Sequence, residues 1–454
     1  MSSNEVKFKR EVNVFGGVSI LTGIMVASGI FFIGAQVLER TDFSIGLALL
    51  AWIIGGVITL MYGLIYAELG ASMPVAGGYY IYLKEAYGKP VAFMSGFTNF
   101  VLLSSGSIAA LAIAFSQILD NIFINLFEVS ISPNTQVLIS AIMILGLTVV
   151  NYYGVKLGAI IQKFFFFIKA IPIFLLLILG LALGEQSIDF SLSLNGASLF
   201  SVLAMLGFTV IATFWAYEGW TNLNSIAGEV KNPGKTLPLS LIITVASVTV
   251  LYTLFNLSLF NVLSLAEMRG MIESEMYFIG IPAAMTIMGT AGMYLVMFTM
   301  LIGVFGALHG TILAFPRVYY AMAKDDLLFE RFKRLDPKYK TPVYAIFGSG
   351  IMAITLLIFS LQDLITMVAF GALFFNAMVF GSVFIFRKTK PELERPYKVW
   401  GYPALPIVTI FITVLLLVAT FVESPVQSLI GTAAIIGGLP IYYLIRHLKN
   451  RKEK

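Results

Sequence analysis

Two clusters of small and polar residues interrupt apolar segments of the sequence at corresponding points. They are Ala27, Ser28 and Gly29 in the string IMVASGIFF, and Ala216, Tyr217, Glu218 and Gly219 in the string TFWAYEGWT. A helix that unwinds inside a bilayer bares peptide N–H and C=O groups, which is tolerable only where they line a cavity or meet a ligand. Bared N–H groups suit a carboxylate, and bared carbonyls suit an ammonium. The two interruptions therefore predict a site for the backbone of an amino acid zwitterion.

The glycines of the two clusters support this prediction because they lack a Cβ atom. Gly29 and Gly219 would let a small molecule approach the main chain closely. Clusters of small residues also serve close helix packing in membranes, and packing would explain either cluster alone. Two clusters at corresponding places, one with a carboxylate in it, favour the binding site.

Other ionisable residues lie inside or beside apolar segments. Lys169 lies deep in KFFFFIKAIPIFLLL, where an ammonium is costly; this predicts a functional lysine with a specific partner, or a structural lysine that faces a cavity. His309, in GALHGTILAF, could carry a proton because imidazole titrates near neutral pH, or it packs as a hydrogen-bonded residue. The string GEVKNPGK predicts a capped, solvated helix end at Glu229, Lys231 and Asn232, with Pro233 stopping the helix.

The composition indicates the solvent that surrounds these segments. Of 454 residues, 59% are hydrophobic and 12% are charged, against about 25% charged in an ordinary soluble domain. A mean hydropathy of +0.91 leaves too few polar residues to cover a soluble domain, so we predict an all-α integral membrane protein. The first apolar segment is too long for a signal-peptide core, and we expect it to be retained.

Cysteine is absent and histidine occurs only twice. The chain therefore forms no disulfide and no thiolate metal site, and we predict neither a metal site nor a cofactor. The sequence has no nucleotide-binding glycine loop after a strand and no paired intramembrane carboxylates, which argues against an enzyme. Charged loops account for the net charge of +5, so it does not indicate nucleic acid.

Apolar runs long enough to cross a bilayer, about 20 residues each, recur along the chain and predict twelve transmembrane helices. They are 14–39, 44–70, 90–119, 135–153, 157–184, 199–230, 236–262, 288–324, 342–360, 362–386, 402–422 and 426–446. The first five (14–198) and the next five (199–386) would form inverted repeats, each starting with an interrupted helix, because five is an odd number of crossings. Two further helices occupy 387–446, and the polar ends are 1–13 and 447–454.

Lysine and arginine concentrate in alternate loops, which predicts the orientation in the membrane. With the N-terminus inside, the basic loops are all cytoplasmic, whereas the outer loops hold only Arg40 and Arg269. We therefore predict a multi-pass protein of the plasma membrane with both termini in the cytoplasm.

Five strings in order along the chain resemble the L-type amino acid transporters of the amino acid, polyamine and organocation superfamily. They are VASGIFF, YAELGASMPVAGGYYIYLKEAYG, VNYYGVKLGAIIQ, FWAYEGWTNLNSIAGEVKNPGKTLPLS and KPELERPYKV. The resemblance implies the inverted-repeat fold named after the bacterial leucine transporter, with helices 1 and 6 unwound at the membrane midplane.

The resemblance also implies roles for individual residues. The carboxylate of the substrate would bind the unwound part of helix 1, at Val26, Ala27, Ser28, Gly29 and Ile30. The ammonium would bind carbonyls of helix 6, within Phe214, Trp215, Ala216, Tyr217, Glu218 and Gly219. Trp215 would close over the substrate from outside, and Lys169 of helix 5 would work with Tyr252 of helix 7.

Three departures from the family pattern bear on function. Ala27 replaces a common glycine and should narrow the site. Glu218 stands where many members have glycine; it could favour cationic substrates, titrate with proton transport, or pair within the protein. Sodium-coupled relatives place hydroxyls where this chain has Ala314 and Phe315, which argues against sodium. The ammonium of Lys169 could take the electrostatic role of that ion.

These features predict a secondary transporter that exchanges neutral L-amino acids by alternating access without sodium. Proton-coupled uptake is an alternative because Glu218, His309 and Lys169 could titrate. An amino acid receptor descended from a transporter is another, whereas a channel is disfavoured because the polar residues are single and non-repeating.

The predicted partners are an amino acid and the lipid bilayer, and the oligomeric state stays open. Mammalian members of the resembled family join an accessory glycoprotein through a disulfide, which a chain without cysteine cannot form.

Overall fold

A computed structural model describes residues 10–26, 29–153, 155–192, 198–274 and 276–452. Helices make up the secondary structure of these residues, apart from one isolated bridge between Val12 and Val230. The α-helices are α1 Val14–Met25, α2 Gly29–Arg40, α3 Ile45–Ser72, α4 Tyr79–Tyr87, α5 Lys89–Thr98, α6 Ser104–Phe127, α7 Pro133–Tyr152, α8 Val155–Leu183, α9 Leu199–Tyr217, α10 Asn222–Ser225, α11 Pro233–Val262, α12 Leu265–Glu273, α13 Gly280–Ala314, α14 Pro316–Lys324, α15 Val343–Thr355, α16 Leu361–Thr389, α17 Ala404–Glu423 and α18 Pro425–Lys452.

The apolar helices indicate a multi-pass membrane protein. Within the described ranges, nine helical segments are long and apolar enough to cross a bilayer. Three shorter apolar helices, Val14–Met25, Ile168–Leu183 and Val343–Ile358, coincide with predicted spans 1, 5 and 9. Each of the twelve predicted spans thus has an apolar helix in the structure, while the number of membrane crossings stays a prediction.

Within predicted span 6 (199–230), α9 ends at Tyr217, inside the interruption predicted at Ala216 to Gly219, and the chain continues as the short helix α10. Two other predicted boundaries are wrong. Span 8 was expected to begin at residue 288, whereas α13 begins at Gly280 and kinks at Gly289, whose φ of 64° is accessible to glycine. Pro233 does not stop a helix; it occupies the first turn of α11, where a missing N–H costs nothing.

Glu229 is not in water as expected. It lies buried against Arg317 of α14, with 3.2 Å between the guanidinium Nε and Oε1, and their side chains are 6% and 1% exposed. Arg317 also donates from Nη1 to the carbonyl of Leu313. A solvated helix end was predicted because the partner is distant in sequence, and only the fold brings Arg317 to it.

The chain ahead of α1 pairs with the segment beside this ion pair. Val12 N–H donates to the carbonyl of Glu229 over 3.0 Å, and Lys231 N–H donates to the carbonyl of Val12 over 2.8 Å. The hydroxyl of Ser240 in α11 donates to the carbonyl of Val14 over 3.2 Å. These bonds join the start of α1 to the segment that follows α10.

A second buried carboxylate joins α3 to the end of α16 and to the segment between α16 and α17. Glu68 accepts two hydrogen bonds from Arg387, of 3.1 Å and 2.7 Å, and a third of 2.7 Å from the backbone N–H of Val399. Arg395 approaches the same carboxylate to 3.7 Å. A bidentate guanidinium with a further N–H donor satisfies a buried carboxylate well, so this contact holds the connecting segment against the helix bundle.

The Glu229–Arg317 pair generates a stability prediction. Arg317→Met leaves a buried carboxylate without its partner, which costs about 3–5 kcal/mol. We expect a clear fall in the thermal unfolding temperature of the purified protein, and partial recovery in the double variant with Glu229→Met. Lys333→Met is the control, because Lys333 and Glu330 form an exposed pair worth little. An Arg317→Met melting curve that overlays the wild type would contradict the prediction.

Candidate functional site

The described residues that flank the two predicted interruptions lie side by side in the structure. Helix α1 ends at Met25 and α2 begins at Gly29, while Ala27 and Ser28 lie outside the described residues. Helix α9 ends at Tyr217, and Gly219 follows with a φ of 117°. A Cβ atom on Gly29 would lie 3.2 Å from Cα of Ala216, so the start of α2 touches the end of α9.

The second glycine makes the reciprocal contact. A Cβ atom on Gly219 would lie 2.6 Å from Cγ2 of Ile24, closer than real Cβ contacts come. Its positive φ also disfavours any residue with a side chain. The start of α2 meets the end of α9, and the end of α1 meets the residues after α9, at distances that a side chain at position 29 or 219 would prevent.

Lys169 of α8 reaches the end of α1. Its Nζ donates to the carbonyl of Gly23 over 2.7 Å and to the carbonyl of Val26, and the side chain is buried. The carbonyls at a helix C-terminus lack intrahelical partners and carry partial negative charge, so an ammonium there is favourable on both counts. The partner that the sequence could not name is the backbone of α1.

Tyr252 of α11 links the ends of both interrupted helices. Its hydroxyl lies 2.7 Å from the carbonyl oxygen of Met25 and 2.9 Å from that of Ala216. The ring is completely buried and packs edge-on against Trp52, with 5.3 Å between ring centroids. One phenol therefore bridges the ends of α1 and α9.

A cavity with about 530 Å³ of empty space opens at this junction. It is lined by Ile24, Met25, Gly29, Ser107, Leu111, Trp215, Ala216, Glu218, Gly219, Asn222, Ala307, Thr311 and Phe315. The lining combines both interruptions with one face of α6 and one face of α13. An apolar cavity with a few convergent polar groups is typical of a small-molecule site.

Glu218 also lines two neighbouring cavities, of about 450 Å³ and 540 Å³. The first includes Asn99 and Leu103, which bound the single π-helical turn between α5 and α6. Such turns frequently occur at functional sites. In the part of the chain that the structure describes, no basic side chain forms an ion pair with Glu218. Its carboxylate thus lines three cavities and has no charged partner among the described residues.

Several predicted site residues do not line the main cavity. Val26 and Ile30 are buried beside the interruption of helix 1. Phe214 lines the 540 Å³ cavity and stacks on Tyr62, and the Tyr217 hydroxyl donates to the carbonyl of Trp52 over 2.8 Å, away from the cavity. The backbone groups of these residues still border the interruptions, but their side chains serve packing.

His309 lies in α13 away from the three cavities. It is fully buried, and neither ring nitrogen has a hydrogen-bond partner among the described residues. Asn151 of α7 donates to its backbone carbonyl over 3.4 Å. The structure does not connect its imidazole to the cavity, which weakens the predicted proton role.

Sequence reasoning missed the cavity residues that come from regular helices. Ser107 and Leu111 lie one turn apart on α6, and Ala307, Thr311 and Phe315 follow at intervals of four, ending at the residue that caps α13. Small and hydroxyl residues at this spacing share one helix face. That spacing was visible in the sequence, but which face meets the cavity depends on the packing of helices distant in sequence.

A model of the amino acid permease family matches residues 12–445. This chain belongs to that family, within the L-type branch of the amino acid, polyamine and organocation superfamily. It is 31% identical to the serine/threonine exchanger SteT of Bacillus subtilis (strain 168) over the full length of both chains.

Two human relatives match almost as completely. The b(0,+)-type amino acid transporter 1 is 30% identical, covering 97% of this chain and 89% of the relative. The cystine/glutamate transporter is 28% identical, covering 97% and 86%. The permease family consists of transporters and not of enzymes, and the predicted resemblance is confirmed.

The Lys169 contacts generate a prediction about transport by this permease. Lys169→Ala leaves the carbonyls of Gly23 and Val26 without their ammonium, and each unpaired buried group costs about 1–3 kcal/mol. We expect amino acid flux in proteoliposomes to fall about tenfold or more, or to lose its directional asymmetry, while membrane insertion is retained. Lys235→Ala, at an exposed lysine, is the matched control. Unchanged uptake kinetics in Lys169→Ala would refute the proposed role.

Proposed function

We propose that this chain is a sodium-independent exchanger of neutral L-amino acids that works by alternating access. The observation that carries the proposal is the contact between the two interruptions, with Lys169 on the carbonyls of α1. Two helix ends that meet beside a cavity supply peptide donors and acceptors at one place, which suits a small zwitterion.

The contacts of Lys169 and Tyr252 support a definite polarity for the bound substrate. The carbonyls of Gly23, Met25 and Val26 already accept hydrogen bonds from the protein. The first N–H groups of α2, beginning at Gly29, have no partners within their helix and lie at its positive end. The substrate carboxylate would therefore bind the start of α2, and its ammonium would bind carbonyls at the end of α9 other than that of Ala216, which Tyr252 already contacts.

Sodium independence rests on the same lysine. Where a transporter binds sodium, the ion places a positive charge among carbonyls, and here the ammonium of Lys169 occupies two carbonyls of α1. Residues Ala314 and Phe315 lack the hydroxyl oxygens that a sodium ion would need. A fixed charge does not travel with the substrate, which favours exchange of one amino acid for another.

The membrane arrangement completes the proposal. Twelve helices would form two inverted five-helix repeats plus α17 and α18, with both termini in the cytoplasm and helices 1 and 6 unwound at the midplane. Trp215 borders both the main cavity and the 540 Å³ cavity, a position suited to closing over a bound substrate. The relatives' names cover serine, threonine, cystine and glutamate, so they leave the side-chain range of this chain open.

An exchange assay tests the proposed function. Purified protein in liposomes loaded with unlabelled alanine should take up labelled alanine, and flux should be near background when the liposomes are empty. Replacing external sodium by choline should leave the rate unchanged. Equal uptake into loaded and empty liposomes, driven by an inward proton gradient, would favour proton-coupled uptake. Thermal stabilisation by alanine without any flux would favour a receptor.

Glu218 supports a second candidate, in which the transporter also accepts cationic amino acids. Its carboxylate lines three cavities and pairs with no basic side chain of the described residues. If it binds a substrate cation, Glu218→Gln should weaken competition by lysine or ornithine about tenfold and leave alanine nearly unaffected. A loss of alanine transport that depends on the proton gradient would instead assign Glu218 to proton coupling.

A further inference from the structure

The two hydroxyl groups that line the main cavity, those of Ser107 and Thr311, offer hydrogen-bond acceptors to a bound ligand. Ser107 donates its hydroxyl proton to the carbonyl of Leu103, and Thr311 donates its own to the carbonyl of Ala307, both over 2.8 Å. Each hydroxyl has one proton, so in this arrangement it offers only lone pairs to a ligand. The carboxylate of Glu218 adds further acceptors when ionised.

Asn222 adds an acceptor whose direction is fixed. It lies just after the interruption of helix 6, lines the cavity and is 2% exposed. Its Nδ2 donates to the carbonyl of Gly219 over 2.9 Å, and its backbone N–H donates to the same oxygen over 3.2 Å. The opposite amide orientation would set two oxygens against each other, so the assignment of Nδ2 and Oδ1 follows from the contact.

The side-chain oxygen of Asn222 has no hydrogen-bond partner among the described residues. A buried, unpaired acceptor is unfavourable, and such groups in native proteins call for an explanation. Here the explanation lies in the cavity, because a ligand that donates a hydrogen bond would satisfy the oxygen.

We propose that Asn222 determines specificity by accepting a hydrogen bond from the side chain of the substrate. The site would then select amino acids with a small donor, such as a hydroxyl, over aliphatic ones of equal size. This inference rests on the proposed function, since it assumes that the backbone of an amino acid occupies the two interruptions.

The positions of the polar groups around the cavity support a contact between Asn222 and the side chain of the substrate. The substrate carboxylate carries no proton to donate, and the ammonium has the end of α9 as its partner. Asn222 lies beyond the break, in α10, on the far side of Gly219 from α9. The apolar residues Leu111, Ala307 and Phe315 enclose the remaining space. A substrate side chain held there either donates a hydrogen bond to Oδ1 of Asn222 or excludes water from that oxygen and leaves it unpaired.

Threonine and valine provide the sharpest comparison because they differ by a hydroxyl in place of a methyl group. We expect unlabelled threonine to compete with labelled alanine about tenfold better than valine does in wild-type proteoliposomes. Asn222→Leu should bring this ratio close to one. Asn222→Asp keeps an acceptor oxygen, and its protonated carboxyl keeps a donor for the carbonyl of Gly219, so it should retain the threonine preference and serves as the matched variant.

The outcomes separate this inference from the proposed function. Alanine exchange with a threonine-to-valine ratio near one in the wild type overturns only the role of Asn222. The role of Asn222 is also overturned if Asn222→Leu leaves the threonine-to-valine ratio unchanged or weakens competition by both amino acids equally. Loss of the threonine preference in Asn222→Asp overturns it too. Absence of any alanine exchange in the wild type overturns the proposed function itself.

Discussion

A helix end buried among apolar groups needs partners for its peptide carbonyls, and the structure around the cavity depends on how that need is met at α1. Lys169 and Tyr252 together cover the carbonyls of Gly23, Met25 and Val26. The ammonium is itself costly in hydrocarbon, and the carbonyls are what make its burial tolerable. Each would be unfavourable without the other, so the interrupted helix and the intramembrane lysine form one arrangement.

This arrangement leaves the two interruptions unequal in the contacts they offer. Lys169 and Tyr252 cover three carbonyls at the end of α1, whereas Tyr252 alone covers one, that of Ala216, at the end of α9. The start of α2 and the residues after α9 border the cavity. An asymmetric pair of helix ends can orient a zwitterion, while a symmetric pair would bind it in either direction. The glycines at 29 and 219 set the distance at which this happens, since a side chain at either position would separate the helices.

Hydropathy alone predicted an apolar helix for every span, because a bilayer constrains length and composition so strongly. The end of α9 at Tyr217 was also predictable, since the cluster from Ala216 to Gly219 is out of place in a regular apolar helix. Glu229 was misplaced because its partner Arg317 lies 88 residues away. Asn222 and Thr311 gave no signal of their own, because facing a cavity is a property of helix packing. The direction of the Tyr217 side chain was likewise set by Trp52 on another helix.

The pairing of the chain ahead of α1 with the segment after α10 bears on how the protein moves. Val12 is bonded on both sides, to Glu229 and to Lys231, and Ser240 adds a bond at Val14. Because these hydrogen bonds join the two backbones directly, a tilt of α1 would move α10 with it. Helix α1, the first half of one interrupted helix, and α10, which follows the break in the other, would then move together, so an opening beside them would require one displacement instead of two.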